Sequence, residues 1–502
     1  MAVVETTYGR VEGETRGEQY AFRGIPFAKP PVGRLRFLPP QAPEPWSGTR
    51  AALEFAPSAP QMPSPFAGLG ADGPQSEDCL YLNVFTPGLD DGRRPVLFWI
   101  HGGAFIMGSG GGPLYDGKNF VTRGDVVVVT INYRLGAFGY LPLGEHGGDA
   151  WGATANAGQL DQIAALEWVR DNIARFGGDP ENVTIFGESA GSFAVTTLLA
   201  MPGAQRLFHK AIGQSGASFE LRKASERASS VARLMDKLGI ADGDSQKLQD
   251  VPADVLLANQ LAGSRDGLAA FFPVVDGKTV PQDPQLAIAR GEVAQVPLVL
   301  GTNRDEMNLF MAAMLKELDK PMEPQQVAAA VGSRMSEQAR GRLLQVLEIY
   351  RASRQALSLP AQNRALMIAL TGDVTFRIPA TRYADAFAAH QPATYMYLFQ
   401  QESPAMRGAL RSCHAMEIPF VFGTIDAPMQ DRFAGAGPEV ERLSQTMMDA
   451  WIAFARSGNP STPQLGWEAY DSGQRATMIF DASPRVENAP LEAERAAWDG
   501  VL

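Results

Sequence analysis

Short apolar runs alternate along this chain with longer segments in which apolar residues recur at helical spacing. The apolar runs predict buried strands at 96–100, 126–131, 183–186, 211–213, 298–300 and 394–400. The helical spacing predicts helices at 159–176, 190–200, 225–238, 324–331 and 439–456. Strands and helices in alternation indicate the α/β class, with a mostly parallel central sheet covered by helices on both faces.

The two ends of this pattern and its long gaps predict the domain organisation. Residues 3–14, with Gly9 between two extended stretches, predict an antiparallel hairpin at the sheet edge. The gaps at about 217–295 and 307–390 are insertions between strands, and we expect them to form a cap over the functional site. No linker, charge block or repeat divides the 502 residues, so we predict a single domain over 1–502.

Composition excludes several classes of function. The sequence is 45% hydrophobic and 20% charged, as in a packed globular enzyme. A net charge of −11 provides no basic surface for nucleic acid, and no apolar run reaches the roughly 18 residues of a membrane span. The first residues enter the predicted hairpin without a signal peptide, and the two cysteines are far apart, so we expect a cytoplasmic protein with reduced thiols.

Ser189 lies in the pattern G-E-S-A-G at residues 187–191, between a predicted strand and a predicted helix. A strand-to-helix turn of this kind needs small neighbours, which Gly187 and Gly191 provide. The turn would hold the serine at a helix N-terminus, where the free N–H of Ala190 can stabilise an oxyanion. The alternative is an ordinary turn with a capping serine, and the loop described next argues against it.

A second loop upstream matches the serine turn. The predicted strand at 96–100 runs into H-G-G-A-F at 101–105, close to the H-G-G-G type that supplies oxyanion donors. Ala104 replaces the third glycine. We expect the backbone N–H groups of Gly103, Ala104 and Ala190 to form an oxyanion hole, which indicates acyl-transfer chemistry with a serine nucleophile.

In this type of fold an acid and then a histidine should follow the serine along the chain. Of the five histidines, His390 and His414 follow a candidate acid; His390 ends a predicted helix, as a surface residue does, so His414 is the better base. The residues alone leave the acid open between Asp305 and Glu306, which both follow the strand at 298–300. Cys413 is a rival nucleophile next to His414, but no oxyanion loop surrounds it.

Several longer motifs resemble one known family. They are F-R-G-I-P-F-A-K-P-P-V-G at 22–33, S-E-D-C-L-Y-L-N-V at 76–84, N-Y-R-L-G-A-F-G at 132–139, N-A-G-Q-L-D-Q at 156–162, G-T-N-R-D-E at 301–306 and E-I-P-F-V-F-G at 417–423. With the serine turn, these resemble the type-B carboxylesterase and cholinesterase-like family of α/β-hydrolases, most of all its bacterial carboxylesterases of the para-nitrobenzyl esterase type. The resemblance runs from about residue 5 to about residue 460.

The resemblance implies an α/β-hydrolase fold and a carboxylesterase, a hydrolase of carboxylic esters (EC 3.1.1) that acts through an acyl-serine intermediate. It assigns the catalytic triad to Ser189, Glu306 and His414, and thereby favours Glu306 over Asp305. Ser215, behind the triad, and Glu188 carry over as supporting residues. The chain departs from the family pattern after the histidine and after the acid, where the residues are Ala415 and Met307.

The same resemblance implies two internal ion pairs, Arg36 with Glu77 and Arg134 with Asp161. The substrate pocket has to be inferred from apolar residues that flank the motifs or lie in the insertions. We expect it to contain Phe105, Met107, Phe219, Phe271, Met307, Phe310 and Met311. Such an adaptable lining suits small to medium or aromatic esters.

We therefore expect a small-molecule ester as the partner, and neither nucleic acid nor membrane. We expect a monomer without cofactor or metal, since the sequence has no histidine pair at ligand spacing and no C-x-x-C. An amidase, a lactonase or a lipase on the same site remain alternatives. A catalytically inactive adhesion protein is a further one, against which the intact Ser189, Glu306 and His414 argue.

Overall fold

A computed structural model of the chain describes residues 1–64, 70–71, 73–147, 151–218, 220–241, 243–261 and 270–502. The chain forms two compact units. The first contains 1–214, 218–298 and 448–460, and the second contains 215–217, 299–447 and 461–502. The single domain and the cap formed by the two insertions remain predictions.

The sheet of the first unit is antiparallel at its N-terminal end and parallel beyond it. Its strands are β1 (Ala2–Thr6), β2 (Gly9–Arg16), β3 (Gln19–Pro26), β4 (Thr49–Ala51), β5 (Tyr81–Thr86), β6 (Arg94–Ile100), β7 (Val127–Ile131), β8 (Gly178–Glu188) and β9 (Lys210–Gln214). They lie in the order β1-β2-β3-β5-β7-β6-β8-β9, with β4 beside β2. Along this order the pairs from β1 to β7 are antiparallel, and β7, β6, β8 and β9 are parallel to one another. β4 pairs with β2 in parallel.

The predicted hairpin is confirmed at the edge of this sheet. β1 and β2 pair antiparallel, with Thr6 opposite Gly9. Gly9 has φ +145°, and a Cβ there would lie 2.6 Å from the carbonyl oxygen of Trp46, so only glycine fits. In the middle of the sheet every residue of β7 is buried, which explains its uninterrupted apolar sequence.

The sheet of the second unit is shorter. Its strands are β10 (Leu298–Asn303), β11 (Thr394–Phe399), β12 (Ala476–Phe480) and β13 (Arg485–Asn488), in that order. β11 and β12 are parallel, while β12 and β13 are antiparallel. The insertion at 307–390 lies between β10 and β11 and forms helices packed around Leu343, Leu347 and Tyr350.

The α-helices agree with the predicted ones and add others. They are α1 (Lys118–Gly124), α2 (Gly136–Tyr140), α3 (Gly144–Gly147), α4 (Ala157–Asn172), α5 (Ala190–Leu199), α6 (Ala228–Lys237), α7 (Ala253–Asn259), α8 (Pro284–Ala289), α9 (Ala312–Leu315), α10 (Pro324–Val331), α11 (Glu337–Ala356), α12 (Asn363–Gly372), α13 (Ile378–Ala388), α14 (Ile418–Phe422), α15 (Gln430–Phe433), α16 (Pro438–Ser457) and α17 (Glu492–Ala496). A π-helical turn, Asp373–Arg377, joins α12 to α13. The predicted helices correspond to α4, α5, α6, α10 and α16.

Candidate functional site

Ser189 occupies a sharp turn between β8 and α5, with φ +54° and ψ −121°. A residue with a side chain adopts this conformation only where the surrounding structure holds it. Its N–H donates a hydrogen bond of 2.8 Å to the carbonyl of Gln214 at the end of β9. A Cβ on Gly191 would lie 2.0 Å from the carbonyl oxygen of Ile100, and one on Gly187 would lie 2.6 Å from the carbonyl carbon of Gly191. Both glycines are therefore required where the strand and the helix cross.

The loop after β6 lies against this turn. A Cβ on Gly102 would lie 3.1 Å from the Cβ of Ser189 and 2.8 Å from Oε2 of Glu188. Gly103 has φ +110° and Ala104 has φ +54°, so the chain turns through left-handed conformations here. For Ala104 that conformation costs about 1–2 kcal/mol. The loop thus brings its backbone beside the serine turn, where Ala190 is the first residue of α5.

His101 braces this loop. Its ring is buried, stacks on Tyr133 with 4.4 Å between ring centroids, and places Nδ1 2.8 Å from the carbonyl oxygen of Gly102. The Tyr133 hydroxyl donates a hydrogen bond of 2.8 Å to the His101 carbonyl. Burial lowers the pKa of His101 to about 4, so the ring is neutral near pH 7. Its contacts with Tyr133 and Gly102 therefore support the loop.

The second unit contains a hydrogen-bonded acid and histidine. Nδ1 of His414 lies 2.6 Å from Oε2 of Glu306, and both side chains are buried. The other oxygen, Oε1, accepts the N–H of Asn303 at 2.7 Å. The backbone adds a further bond, because the N–H of His414 donates to the carbonyl of Glu306 at 3.2 Å. With Nδ1 donating to the carboxylate, Nε2 of the imidazole is left to accept a proton.

Asp305, the other candidate acid, is turned toward arginines. Its Oδ2 lies 2.9 Å from Nε of Arg304, and its Oδ1 lies 3.5 Å from Nη2 of Arg354. Nε of Arg411 is 3.9 Å from Oδ2. Of the two carboxylates that the residues left open, Glu306 is the one that hydrogen-bonds to His414.

Glu417 lies next to this pair. The side-chain amide of Asn303 donates to Oε2 of Glu417 at 2.6 Å and to the carbonyl of Cys413 at 2.7 Å. Burial above all, and then the nearby Glu306, raise the pKa of the Glu417 carboxyl. Burial also raises the pKa of the Cys413 thiol, which keeps it protonated and argues against the rival cysteine nucleophile.

Ser215 has φ +56° and donates its N–H to the carbonyl of Gly301 at 2.8 Å. Its hydroxyl is buried and has no hydrogen-bond partner among the residues that the structure describes. The supporting role expected of Ser215 stays a prediction, since its side chain makes no hydrogen bond in that part of the molecule. The two predicted ion pairs are confirmed, with 2.6 Å from Nε of Arg36 to Glu77 and from Nη2 of Arg134 to Asp161.

Aromatic rings flank the histidine. The ring centroid of Phe376, in the π-helical turn, lies 4.8 Å from that of His414. The ring centroid of Phe310 lies 5.0 Å from that of His414. Phe310 was a predicted pocket residue, whereas Phe376 was missed. Nothing in the sequence around Phe376 indicates a contact with His414, because only the tertiary fold brings the turn before α13 to the histidine.

A second aromatic cluster adjoins the serine turn. The ring of Phe272 lies 5.0 Å from Phe105 and 5.1 Å from Phe193, which is one helical turn after Ser189. Phe105 in turn contacts Tyr140 at 5.0 Å. The sequence predicted Phe105 for the pocket but missed Phe193, although its spacing from the serine places it on the same helix.

The other predicted pocket residues make the following contacts, each within its own unit. Phe219 lies outside the described residues. Phe271 is buried, and Met107 packs against Gly103. Met307 lies beside Gly372, and Met311 packs against the helical core of the second unit. Their pocket role stays a prediction.

The remaining histidines make other contacts: Nε2 of His146 lies 3.3 Å from the carbonyl of Ala228, and Nδ1 of His209 accepts the N–H of Val183 at 3.2 Å. His390 follows the end of α13, as predicted.

None of the described helices has the length and apolar character needed to cross a membrane.

Comparison with known proteins gives consistent results. A family model described as the carboxylesterase family matches residues 1–498. The para-nitrobenzyl esterase of Bacillus subtilis (strain 168) is 42% identical, over 98% of this chain and 97% of its own. The phenmedipham hydrolase of Pseudarthrobacter oxydans is 34% identical, over 95% and 94%. Among solved structures, a Geobacillus stearothermophilus carboxylesterase at pH 6.2 has a TM-score of 0.87 at 40% identity and covers 99% of both chains. A PNB esterase has a TM-score of 0.86 at 39% identity, with the same coverage.

Proposed function

Since this chain belongs to the carboxylesterase family and is a carboxylic-ester hydrolase with the α/β-hydrolase fold, we propose that Ser189, His414 and Glu306 form its catalytic triad. The observation that carries the proposal is the 2.6 Å hydrogen bond between Glu306 and His414. The conformation of Ser189 at the tip of its strand-to-helix turn supports it, because a nucleophile on a turn of this type is characteristic of serine hydrolases with this fold.

In the proposed reaction, Oγ of Ser189 attacks the ester carbonyl carbon while Nε2 of His414 takes the hydroxyl proton. The C=O π electrons move to the oxygen, and N–H groups of Gly103, Ala104 and Ala190 stabilise the resulting oxyanion. Collapse of this intermediate expels the alcohol, which takes the proton from His414, and leaves an acyl-serine. Water, deprotonated by His414, then attacks the acyl carbon and releases the acid and free Ser189.

Glu306 orients the imidazole and stabilises the imidazolium that forms in each half of the reaction. The backbone bond between His414 and the carbonyl of Glu306 supports this role, because it fixes the loops that carry the two side chains. The rings of Phe310 and Phe376 both contact the imidazole of His414, and these contacts restrict its rotation. A base held in this way needs little reorganisation between the two half-reactions.

We propose small to medium or aromatic esters as substrates. The partly exposed rings of Phe193 and Phe272 contact each other, and Phe193 lies one helical turn after Ser189, so they give the neighbourhood of the serine an apolar character that suits such groups. One relative at 42% identity carries the name para-nitrobenzyl esterase, which describes an ester of an aromatic alcohol.

Covalent labelling tests the proposed nucleophile. A fluorophosphonate should label the wild-type protein once and on Ser189, as located by peptide mass spectrometry. Ser189→Ala should abolish labelling and should lower kcat on a para-nitrophenyl ester by about 10⁴-fold. Ser192→Ala, a matched change on the same helix, should retain both. Labelling on another residue, or full activity of Ser189→Ala in enzyme free of contaminating esterase, would contradict the proposal.

We also propose a cytoplasmic location. Cys79 and Cys413 are both buried free thiols, which suits a reducing compartment. Fractionation of producing cells, with a cytoplasmic and an exported marker enzyme, tests this. Recovery of the esterase activity with the exported marker would refute it.

A further inference from the structure

Glu417 is a buried carboxyl that has no part in the proposed reaction. It lies directly before α14 and three residues after His414, and its exposed fraction is 0%. The side-chain amide of Asn303 donates to its Oε2 at 2.6 Å. Because a buried carboxylate is costly unless it is paired, the charge that Glu417 carries bears on the catalytic pair beside it.

The groups that act on Glu417 in the second unit include another carboxylate. Glu306 is the anion that His414 needs, and two neighbouring carboxylates disfavour each other's ionisation. Burial first and Glu306 second raise the pKa of the Glu417 carboxyl. The amide of Asn303, the N–H of Glu417 itself and His414 act in the opposite direction, but the net shift is upward. The adjoining thiol of Cys413 is kept protonated by burial and adds no charge.

The side chain of Asn303 is oriented by two acceptors. Its Nδ2 donates to Oε2 of Glu417 at 2.6 Å and to the carbonyl of Cys413 at 2.7 Å, so both amide hydrogens are used. A flipped amide would place its oxygen against the carbonyl of Cys413, which excludes that orientation. In the orientation that remains, Oδ1 is buried and accepts no hydrogen bond within the described part of the chain. A buried acceptor of this kind calls for a donor.

A hydroxyl on Glu417 would supply that donor. We propose that Glu417 is a neutral acid in the resting enzyme and that its O–H donates to Oδ1 of Asn303, while Nδ2 of Asn303 donates to Oε2. The acid and the amide then form a pair with two parallel hydrogen bonds. The pair satisfies Oδ1 and leaves no uncompensated charge in the interior.

This pair holds the catalytic acid in place without adding charge beside it. The backbone N–H of Asn303 donates to Oε1 of Glu306 at 2.7 Å, so the residue that Glu417 anchors is also one that fixes Glu306. On the proposed triad, on which this inference rests, Glu417 is a positioning residue. An ionised Glu417 would favour the imidazolium form of His414 and deplete the base at neutral pH. The neutral acid keeps the anchor and avoids that loss.

Infrared difference spectroscopy in D₂O reports the protonation state of Glu417 without turnover. At neutral pH, the spectrum of wild type minus Glu417→Gln should contain the C=O stretching band of a carboxylic acid and no carboxylate band. Glu402→Gln is the matched control, because Glu402 is 45% exposed and pairs with Arg304, so its spectrum should lose a carboxylate band instead. Loss of a carboxylate band in Glu417→Gln would overturn the proposal.

The pH dependence of kcat/KM on para-nitrophenyl acetate tests the positioning role. Glu417→Gln reproduces both hydrogen bonds of the neutral acid, so it should keep most of kcat and an unchanged midpoint of the acid limb. Glu417→Met, of equal length but without polar atoms that pair with an amide, should lower kcat on the order of 10²-fold at constant KM, because Asn303 is no longer anchored.

Two kinetic results would overturn the proposal. A midpoint that falls by about one pH unit in Glu417→Gln would show that the wild type carries a negative charge there. Equal kcat in Glu417→Met and Glu417→Gln would show that the carboxyl anchors nothing. If Glu417→Met does not fold, the infrared band and the midpoint of Glu417→Gln still test the neutral acid.

Failure of the proposed triad gives a different result. A fluorophosphonate would then label a residue other than Ser189. The carboxylic acid band of Glu417 would be unaffected by that outcome, because it is measured on resting enzyme.

Discussion

Glu306 bonds to His414 at 2.6 Å, although the adjacent Asp305 is a carboxylate in the same loop. The two acids thus have different tasks. We predict that Glu306→Gln lowers kcat about 10⁴-fold with little loss of stability, because the amide favours the wrong imidazole tautomer. Asp305→Asn should instead lower the free energy of unfolding by about 3–5 kcal/mol, since it leaves buried arginines without their partner.

The measurement for this pair is kcat on folded enzyme together with a urea unfolding curve for each variant. Both substitutions exchange one carboxylate for an amide of equal size, so each serves as the control of the other. If Asp305→Asn loses more kcat than Glu306→Gln at equal folded fraction, the acid has been assigned to the wrong residue.

Gly191→Ala should destabilise the protein by about 3 kcal/mol or more, because the new Cβ would lie 2.0 Å from the carbonyl oxygen of Ile100 and backbone cannot yield as a side chain does. Gly203→Ala is the matched control, since its Cβ would meet only Ile163, at 3.7 Å. Denaturant midpoints and soluble yield measure the effect. Comparable midpoints for the two variants would show that the strand and the helix cross with more space than the structure contains.

His101 makes stability depend on pH. Burial lowers its pKa to about 4, whereas an unfolded histidine titrates near about 6.5. Between these values the unfolded chain binds a proton that the folded chain does not, so the stability from this group is fully present above about 6.5 and falls as pH falls. The loss from pH 7 to pH 5 is about 2 kcal/mol.

Urea midpoints at pH 7 and pH 5 check this for wild type and His101→Asn. The variant should be less stable at pH 7 but should lose less on acidification. His390→Asn, at an exposed histidine, should leave the wild-type difference unchanged. An equal fall for wild type and His101→Asn would mean that other groups carry the acid sensitivity.

Phe193→Ala should shift the acyl preference toward longer chains, because it removes one ring of the cluster beside the serine turn. We expect the ratio of kcat/KM for octanoate over butyrate esters to rise about tenfold, the scale of one or two methylene contacts. Phe120→Leu, at an aromatic contact with Phe186 in the same unit, is the control and should keep the ratio. A wild type that already prefers palmitate over butyrate would contradict the proposed substrate class.

Local chemistry made parts of this site predictable. The turn at Ser189 follows from sterics within a few residues, because Gly187 and Gly191 are needed wherever a strand and a helix cross so closely. The residues alone could not decide between Asp305 and Glu306, since adjacent carboxylates differ only in what the fold brings to each; the family resemblance was needed to favour Glu306. Phe376 was missed for the same reason.

One omission had a readable signal. The helix Glu337–Ala356 was not predicted, yet Leu343, Val346, Leu347 and Tyr350 recur at helical spacing and are buried on one face. Ser336 caps it by accepting the N–H of Ala339. β12 was not predicted either, but its sequence gives no clear signal. The five residues Ala476–Phe480 form a short apolar run that could equally be part of a helix.

Because of the left-handed backbone at Ser189, selecting variants for stability and selecting them for catalytic turnover favour different residues at this position. A side chain at φ +54° and ψ −121° costs on the order of 1–3 kcal/mol, which glycine would not incur. We therefore expect random libraries of this protein sorted by heat resistance alone to enrich Ser189→Gly, a folded and heat-resistant protein without the proposed nucleophile. Directed evolution of this chain for thermostability needs an activity screen in every round.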